Sequence, residues 1–164
     1  MPTPRHSHLF EPITLRGITI KNRLVSTAHD TNMADALNHV SDRHLAYFEA
    51  RAAGGTGLIV MEASSVHPTA EIHGTSVHAY DPTVVEGYRE MAARIHAHGA
   101  TLLVQLGHQG VHMNFHKNWT SPWGPSLVPS VTEREIPHVM SVADIREIVG
   151  AYAASAANVV DGDF

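Results

Sequence analysis

The chain has 164 residues, 43% of them hydrophobic and 16% charged, which is the balance of one globular domain and excludes an intrinsically disordered chain. Its 11 basic and 16 acidic residues leave a formal net charge of −5, so neither nucleic acid nor an anionic membrane is an expected partner. Cysteine is absent, which excludes disulfides, a catalytic thiol and cysteine-ligated zinc or iron–sulfur clusters within the chain. No apolar run suits a membrane span and the start lacks a signal-peptide core, which favours a cytoplasmic location.

The opening segment predicts a hairpin, a strand and a helix. Apolar residues at positions 13, 15, 18 and 20 flank the turn pair Arg16-Gly17, which is typical of a short β-hairpin. A strand is predicted over 23–28, and a polar stretch over 29–38 follows it. The helix is predicted to begin after an N-cap at Ser41 and to end at Gly54-Gly55.

Strand and helix then alternate along the chain. The apolar runs 57–61 and 102–106 predict strands that are buried on both faces. Between them, Asp81-Pro82 marks the start of a helix that runs to Gly99. A long loop containing Trp119 and Trp123 leads to a last helix, which Ser141 caps and which extends to about residue 159.

This alternation predicts an α/β fold, because parallel strands joined by helices require right-handed crossovers. If each strand–helix unit takes ~45 residues, eight units take ~360, which lies within the range of (β/α)₈ barrels. We therefore predict that residues 1–164 form the N-terminal part of a TIM barrel. This part comprises the hairpin and about three βα units, and it ends before the fourth strand.

The carboxyl ends of the three predicted strands carry the candidate site, because barrel active sites lie at that end. The residues there, 26–30, 61–65 and 105–110, are polar, small or glycine-rich. Small residues let a flat ring approach the backbone, and a glutamine amide both donates and accepts hydrogen bonds. The pattern indicates a pocket for a flat heterocycle with polar edges.

Four segments, in their order and spacing, carry a family resemblance: Ile20-Lys21-Asn22-Arg23-Leu24-Val25, residues 54–66, residues 105–110 and Gly124-Pro125-Ser126. Together they resemble the N-terminal half of the old yellow enzyme family of FMN-dependent oxidoreductases. The most similar branch is the one with dienoyl-CoA reductases, trimethylamine dehydrogenase and N-methyl amino-acid demethylases. The resemblance extends from about Phe10 to the end of the chain.

The resemblance implies which residues contact FMN. The family's positions map onto Thr27, Ala28, His29, Asp30, Ala63 and Gln105. The turn 27–30 would lie under the isoalloxazine ring, whereas Ala63 and Gln105 would approach its pyrimidine side. Asp30 stands where trimethylamine dehydrogenase has the cysteine that links its flavin, so a thioether link is impossible here. Val111 stands where relatives often have an arginine, which puts that arginine's loop contact in doubt.

The resemblance also implies an enzyme that transfers a hydride between FMN and an organic substrate, with NAD(P)H as a possible electron donor. That small-molecule substrate is either an enoyl-type acceptor that is reduced or an N-methylated amine that is oxidised. The family's substrate-binding residues follow the fourth strand, so no catalytic residue is assigned within this chain. A complementary C-terminal polypeptide is the expected partner, because three strands do not close a barrel.

Two alternatives stay open at this stage: a non-catalytic half-barrel that binds a partner, and a histidine-rich metal-binding domain. The sequence has 14 histidines, and His108, His112 and His116 are four residues apart. Gly107 and Gly110 interrupt the helix that would place these histidines on one face, so the prediction is a pocket-lining loop without a metal. Glu62, at the end of a buried strand, is expected to be held by backbone N–H groups.

Overall fold

The computed structural model describes residues 6–71, 74–113 and 120–164. Its strands are β1 Ile13–Leu15, β2 Ile18–Ile20, β3 Val25–Ser26, β4 Leu58–Ser65, β5 Thr101–Gly107, β6 Trp123–Gly124 and β7 His138–Val139. Its α-helices are α1 Asp42–Ala53, α2 Val85–His96 and α3 Val142–Asp161. The hairpin β1–β2 and the alternation of three parallel strands with three helices follow the prediction.

The central sheet has the order β3-β4-β5, and neighbouring strands are parallel. Strand β4 continues to Ser65, beyond the predicted run, because its pairing with β5 extends to Gly107. Strand β3 is shorter than the predicted 23–28. Its pairing with β4 stops at Ser26. Further along the chain, the backbone N–H of Thr31 donates to the Glu62 carboxylate and not to a neighbouring strand.

Capping boxes at Ser41 and Ser141 start helices α1 and α3, as predicted, and a further side-chain cap starts the turn of 3₁₀-helix before α2. In α1, the Ser41 hydroxyl accepts from the backbone N–H of His44, and the Ser41 N–H donates to the His44 ring, both at 3.3 Å. Before α2, the Asp81 carboxylate accepts from Thr83 N–H at 2.9 Å and caps a turn of 3₁₀-helix. Helix α2 therefore begins at Val85, a few residues later than predicted.

The core lies between helices α1 and α2 and the helix-facing side of β4 and β5. Its largest fully buried side chains include Phe48, Ile59, Met61, Tyr88, Ile95 and Leu102. Apolar side chains on the other face of the sheet are open, since Val25 is 51% and Leu103 is 45% exposed. In a closed barrel that open face lines the interior.

Helix α3 packs on the connection between β4 and α2. The Ser155 hydroxyl donates to the Val66 carbonyl at 3.4 Å, and the Asn158 amide donates to the Ala79 carbonyl at 2.9 Å. Its other side exposes apolar residues, among them Ile145 and Val149. None of the helices in the described ranges is long and apolar enough to cross a membrane.

Candidate functional site

A polar clamp fixes the amino-terminal ends of β3 and β4. The Asn22 side chain donates to the Gly55 carbonyl at 2.8 Å and accepts from the Leu24 N–H at 3.1 Å. A Cβ on Gly57 would lie 2.4 Å from Asn22 Oδ1, so only glycine fits there. These contacts explain two of the sequence motifs as parts of a structural clamp, which lies at the strand ends opposite the candidate site.

A β-bulge in β4 sets which side chains face the candidate site. Met61 pairs with Val104, and the next pair is Ala63 with Gln105, so Glu62 is an extra residue in β4. Because side chains alternate between the faces of a strand, a regular β4 would turn Ala63 toward the helices. The extra residue instead places Ala63 on the open face beside Gln105.

Gln105 is exposed, and its neighbour Ala63 is buried. Within the described part of the chain, no group hydrogen-bonds the Gln105 amide. A small side chain beside a free amide, at the carboxyl ends of parallel strands, is suited to the polar edge of a ring. The structure therefore brings two of the six predicted contact residues together as register partners.

The other four residues form the turn after β3. Thr27, His29 and Asp30 are exposed and Ala28 is half-buried. The His29 ring donates from Nδ1 to the Thr27 carbonyl at 3.2 Å and accepts at Nε2 from the Tyr47 hydroxyl of α1. Helix α1 thus fixes this imidazole. Contact of the turn with FMN stays a prediction.

The Glu62 carboxylate is fully buried, and it joins the turn to the helix layer. One oxygen accepts from His44 Nε2 at 2.9 Å and the other from the Thr31 N–H at 2.6 Å. Burial alone raises the pKa of Glu62, but the hydrogen bonds from His44 and Thr31 outweigh it and hold the pKa below its usual range. The expected backbone donor is therefore present, together with an imidazole.

Sequence reasoning missed His44. The available signal was its place three residues after the N-cap Ser41, on the face of α1 that carries Leu45 and Phe48. A histidine on a buried helix face needs a polar partner, and the buried end of β4 offers a carboxylate.

The loops after β4 and β5 are joined by a chain of hydrogen bonds. His108 accepts at Nδ1 from the Gly110 N–H at 3.0 Å, so its Nε2–H donates to the Thr69 hydroxyl at 3.1 Å. The Thr69 hydroxyl in turn donates to His67 Nδ1 at 2.8 Å, and His67 Nε2–H donates to Glu147 of α3 at 3.1 Å. Burial and the nearby His67 lower the pKa of His108, which keeps this ring neutral at pH 7.

Both ring nitrogens of His108 are therefore used in hydrogen bonds, and His112 bonds the Ser130 hydroxyl at 2.9 Å. His116 and Trp119 lie outside the described residues. Among the described residues, no group of three or more histidine or carboxylate side chains is arranged to hold a metal ion.

Two residues of the long loop after β5 have packing contacts. The ring of Trp123 lies 5.4 Å from the rings of both His67 and His138, measured between centroids. Val111 contacts Gly124 so closely that a Cβ on the glycine would lie 2.5 Å from Val111 Cγ1. The position where relatives often have an arginine thus packs on the Gly124-Pro125-Ser126 segment.

Comparison with known proteins decides the family. The model of the NADH:flavin oxidoreductase / NADH oxidase family matches residues 8–164. The chain belongs to this family. Its resemblance to the old yellow enzymes, predicted from four sequence segments, is confirmed.

A curated relative and two solved structures of similar fold show how much of a similar protein the chain spans. The NADPH dehydrogenase of Geobacillus sp. (strain WCH70) is 31% identical over 157 residues, which are 95% of this chain and 45% of that protein. A solved 2-naphthoyl-CoA reductase with bound 2-naphthoyl-CoA has a TM-score of 0.90 at 23% identity, over 96% of this chain and 26% of that one. For the Old Yellow Enzyme of Pichia sp. AKU4542 the TM-score is 0.83 at 22% identity, over 94% of this chain and 43% of that one.

The chain therefore spans half or less of the length of these relatives. Its fold is that of a partial TIM barrel, as predicted from the alternation of strands and helices.

Proposed function

We propose that the chain is the FMN-binding N-terminal part of an NAD(P)H-dependent oxidoreductase. Its family supports this function, and the observation that carries it is the pairing of Ala63 with Gln105 on the open face of the sheet. FMN, when bound, supplies hydride transfer from NAD(P)H to an organic substrate.

The residues of the chain bind and orient the cofactor in this proposal. The free Gln105 amide would accept a hydrogen bond from a ring N–H of the flavin and donate one to an adjacent carbonyl. Ala63 would leave room for the pyrimidine edge of the ring, and the turn 27–30 would support its face. The donor set therefore fits a flavin without any metal or covalent link.

The substrate class we propose is an enoyl-type acceptor, whose carbon–carbon double bond is conjugated with a carbonyl group. The NADPH dehydrogenase and the 2-naphthoyl-CoA reductase among the similar proteins support reduction over oxidation of an N-methylated amine. Reduction of each double bond takes up one hydride and one proton, and NAD(P)H would supply the two electrons through bound FMN.

We also propose that further βα units complete the barrel, in the same polypeptide or a separate one. Strand β5 has no partner on its far side in the described sheet, and α3 exposes apolar residues beside it. Unpaired backbone groups and apolar surface at one edge are the features that a next strand and helix cover.

The function is tested by adding FMN to the complete protein and measuring bound flavin by its visible absorbance after gel filtration. We expect yellow protein whose absorbance is lost when NADPH or NADH is added without oxygen and returns when an enoyl-CoA is added. Return of the colour with that acceptor, together with no flavin reduction by an N-methylated amine, supports the reductase. Protein that stays colourless in saturating FMN contradicts the proposal and favours a partner-binding half-barrel.

A further inference from the structure

The buried Glu62 connects the two sides of the proposed flavin pocket. It is the extra residue of the β4 bulge, so it immediately precedes Ala63, which the bulge turns toward Gln105. Its carboxylate also accepts from Thr31, the residue that immediately follows the turn 27–30, at 2.6 Å. One side chain therefore fixes the distance between the turn and the Ala63–Gln105 pair.

His44 fixes the orientation of that carboxylate. Its Nδ1 accepts from the Ser41 N–H of the capping box, so the proton lies on Nε2 and donates to Glu62. The ring cannot change tautomer without turning two N–H groups toward each other at Ser41. Both His44 and Glu62 have almost no exposed surface, so water does not replace either bond.

The carboxylate is suited to this task because both of its oxygens receive a donor. The hydrogen bonds from His44 and Thr31 keep the pKa of Glu62 low despite its burial, so it is an anion at neutral pH. An anion accepts shorter and stronger hydrogen bonds than a neutral group does. A neutral amide of the same shape offers one acceptor and one donor.

We propose that Glu62, oriented by His44, is a positioning residue that holds the turn 27–30 at the proper distance from Ala63 and Gln105 for a flavin ring to fit between them. The part of this inference that concerns flavin rests on the proposed function. The hydrogen bonds that carry it belong to the protein alone.

The test compares Glu62→Gln with Glu71→Gln in the complete protein. Glu62→Gln keeps the size of the side chain but turns an N–H₂ group toward Thr31 N–H or His44 Nε2–H. Glu71 is a matched control, because it is also buried and accepts from a histidine, His78, at 2.8 Å and from Ser76 at 3.3 Å. Those bonds lie within the loop after β4 and not at the turn 27–30.

We measure the FMN dissociation constant, the visible circular dichroism of bound flavin and hydrogen–deuterium exchange of the peptide 27–31 in flavin-free protein. Glu62→Gln is expected to weaken FMN binding about ten- to a hundredfold, as for a buried polar group left without its partner. It should also change the flavin dichroism and speed exchange of the turn, whereas Glu71→Gln should do none of these. Melting curves establish that both variants are folded.

Equal flavin affinity, dichroism and exchange in the two variants would overturn the inference. If Glu62→Gln does not fold, Glu62→Asp replaces it, since a shorter carboxylate keeps the charge but does not reach both donors. If the unaltered protein fails to take up FMN, the proposed function is wrong. Exchange of the turn then still decides whether Glu62 holds it.

Discussion

Asn22 and Gln105 are both amides near the ends of parallel strands, but the structure places them in different environments. Asn22 is buried, and it donates to the Gly55 carbonyl and accepts from the Leu24 N–H, so it is not open to a ligand. Gln105 is exposed, and the described residues leave its amide without a partner. A polar group that the protein satisfies is structural, whereas one that it leaves unsatisfied at a pocket is available for binding.

Gln105→Ala in the complete protein is expected to weaken FMN binding by about 1–3 kcal/mol, the usual cost of leaving a polar group that binding buries without its hydrogen-bond partner. Titration with FMN, followed by flavin fluorescence, measures the change. Thr101→Ala is the control, since Thr101 lies on the same face of β5 at its other end. An FMN affinity that Gln105→Ala leaves unchanged would remove Gln105 from the site.

The low pKa of Glu62 predicts how stability depends on pH. Because the folded pKa is depressed below the ordinary value of 4.5, the stabilising contribution of this carboxylate is fully present above that value. It is lost as the pH falls through the lower folded pKa. The stability difference between the unaltered protein and Glu62→Gln should therefore shrink on acidification.

Denaturant midpoints of both flavin-free proteins, measured from about pH 7 down to about pH 3, provide the test. A difference that stays constant over this range would show that Glu62 does not titrate as an anion held by His44 and Thr31.

At the scale of the structural elements, two glycines differ in whether the fold requires a glycine at their position. Gly57 begins β4 where the backbone touches Asn22, whereas a Cβ on Gly150 in α3 would meet nothing within 4 Å. A substitution at the first position must displace the clamp, and one at the second only changes helix propensity.

Gly57→Ala is therefore expected to destabilise the protein by about 1–3 kcal/mol through overpacking. Gly150→Ala should stabilise it by up to about 1 kcal/mol, because alanine is the better helix former. Thermal unfolding of both variants measures these two changes in stability. A Gly57→Ala protein as stable as the unaltered one would contradict the structural role of the Asn22 clamp.

At the scale of the whole molecule, the sheet face and the helix that a completed barrel would cover carry exposed apolar side chains. Leu103 on β5, Ile145 and Val149 on α3 and Val25 on β3 are all exposed. Soluble monomers rarely combine large exposed apolar surface with a free sheet edge. In the isolated chain, the residues that a completed barrel would cover are therefore expected to favour self-association.

The 164-residue chain expressed alone is expected to self-associate and to bind FMN poorly. Adding the complementary C-terminal segment should restore solubility and yellow colour together. Replacing Ile145 and Val149 by lysine should reduce self-association of the isolated chain but impair its assembly with that segment. Analytical ultracentrifugation with a flavin titration tests both points, and an isolated chain that is a monomer and binds FMN tightly would contradict the half-barrel interpretation.

Local sequence signals determined much of this fold. The N-cap at Ser41, the capped turn at Asp81-Pro82 and the apolar runs each act within a few residues, so they predict the helices and strands. Order and spacing of short motifs were sufficient to predict the family. The grouping of the candidate site residues was also predictable, because parallel strands place their carboxyl ends at one edge of the sheet.

Only the tertiary structure decided how these residues meet. The bulge at Glu62 arises from the register between β4 and β5, and it alone brings Ala63 to the face of Gln105. The bonds of Glu62 to His44 and of His29 to Tyr47 join residues 18 positions apart on different elements. Such pairings depend on how a helix packs against a strand. The pattern of apolar residues in the sequence determines which face is buried, but it does not determine which polar groups meet there.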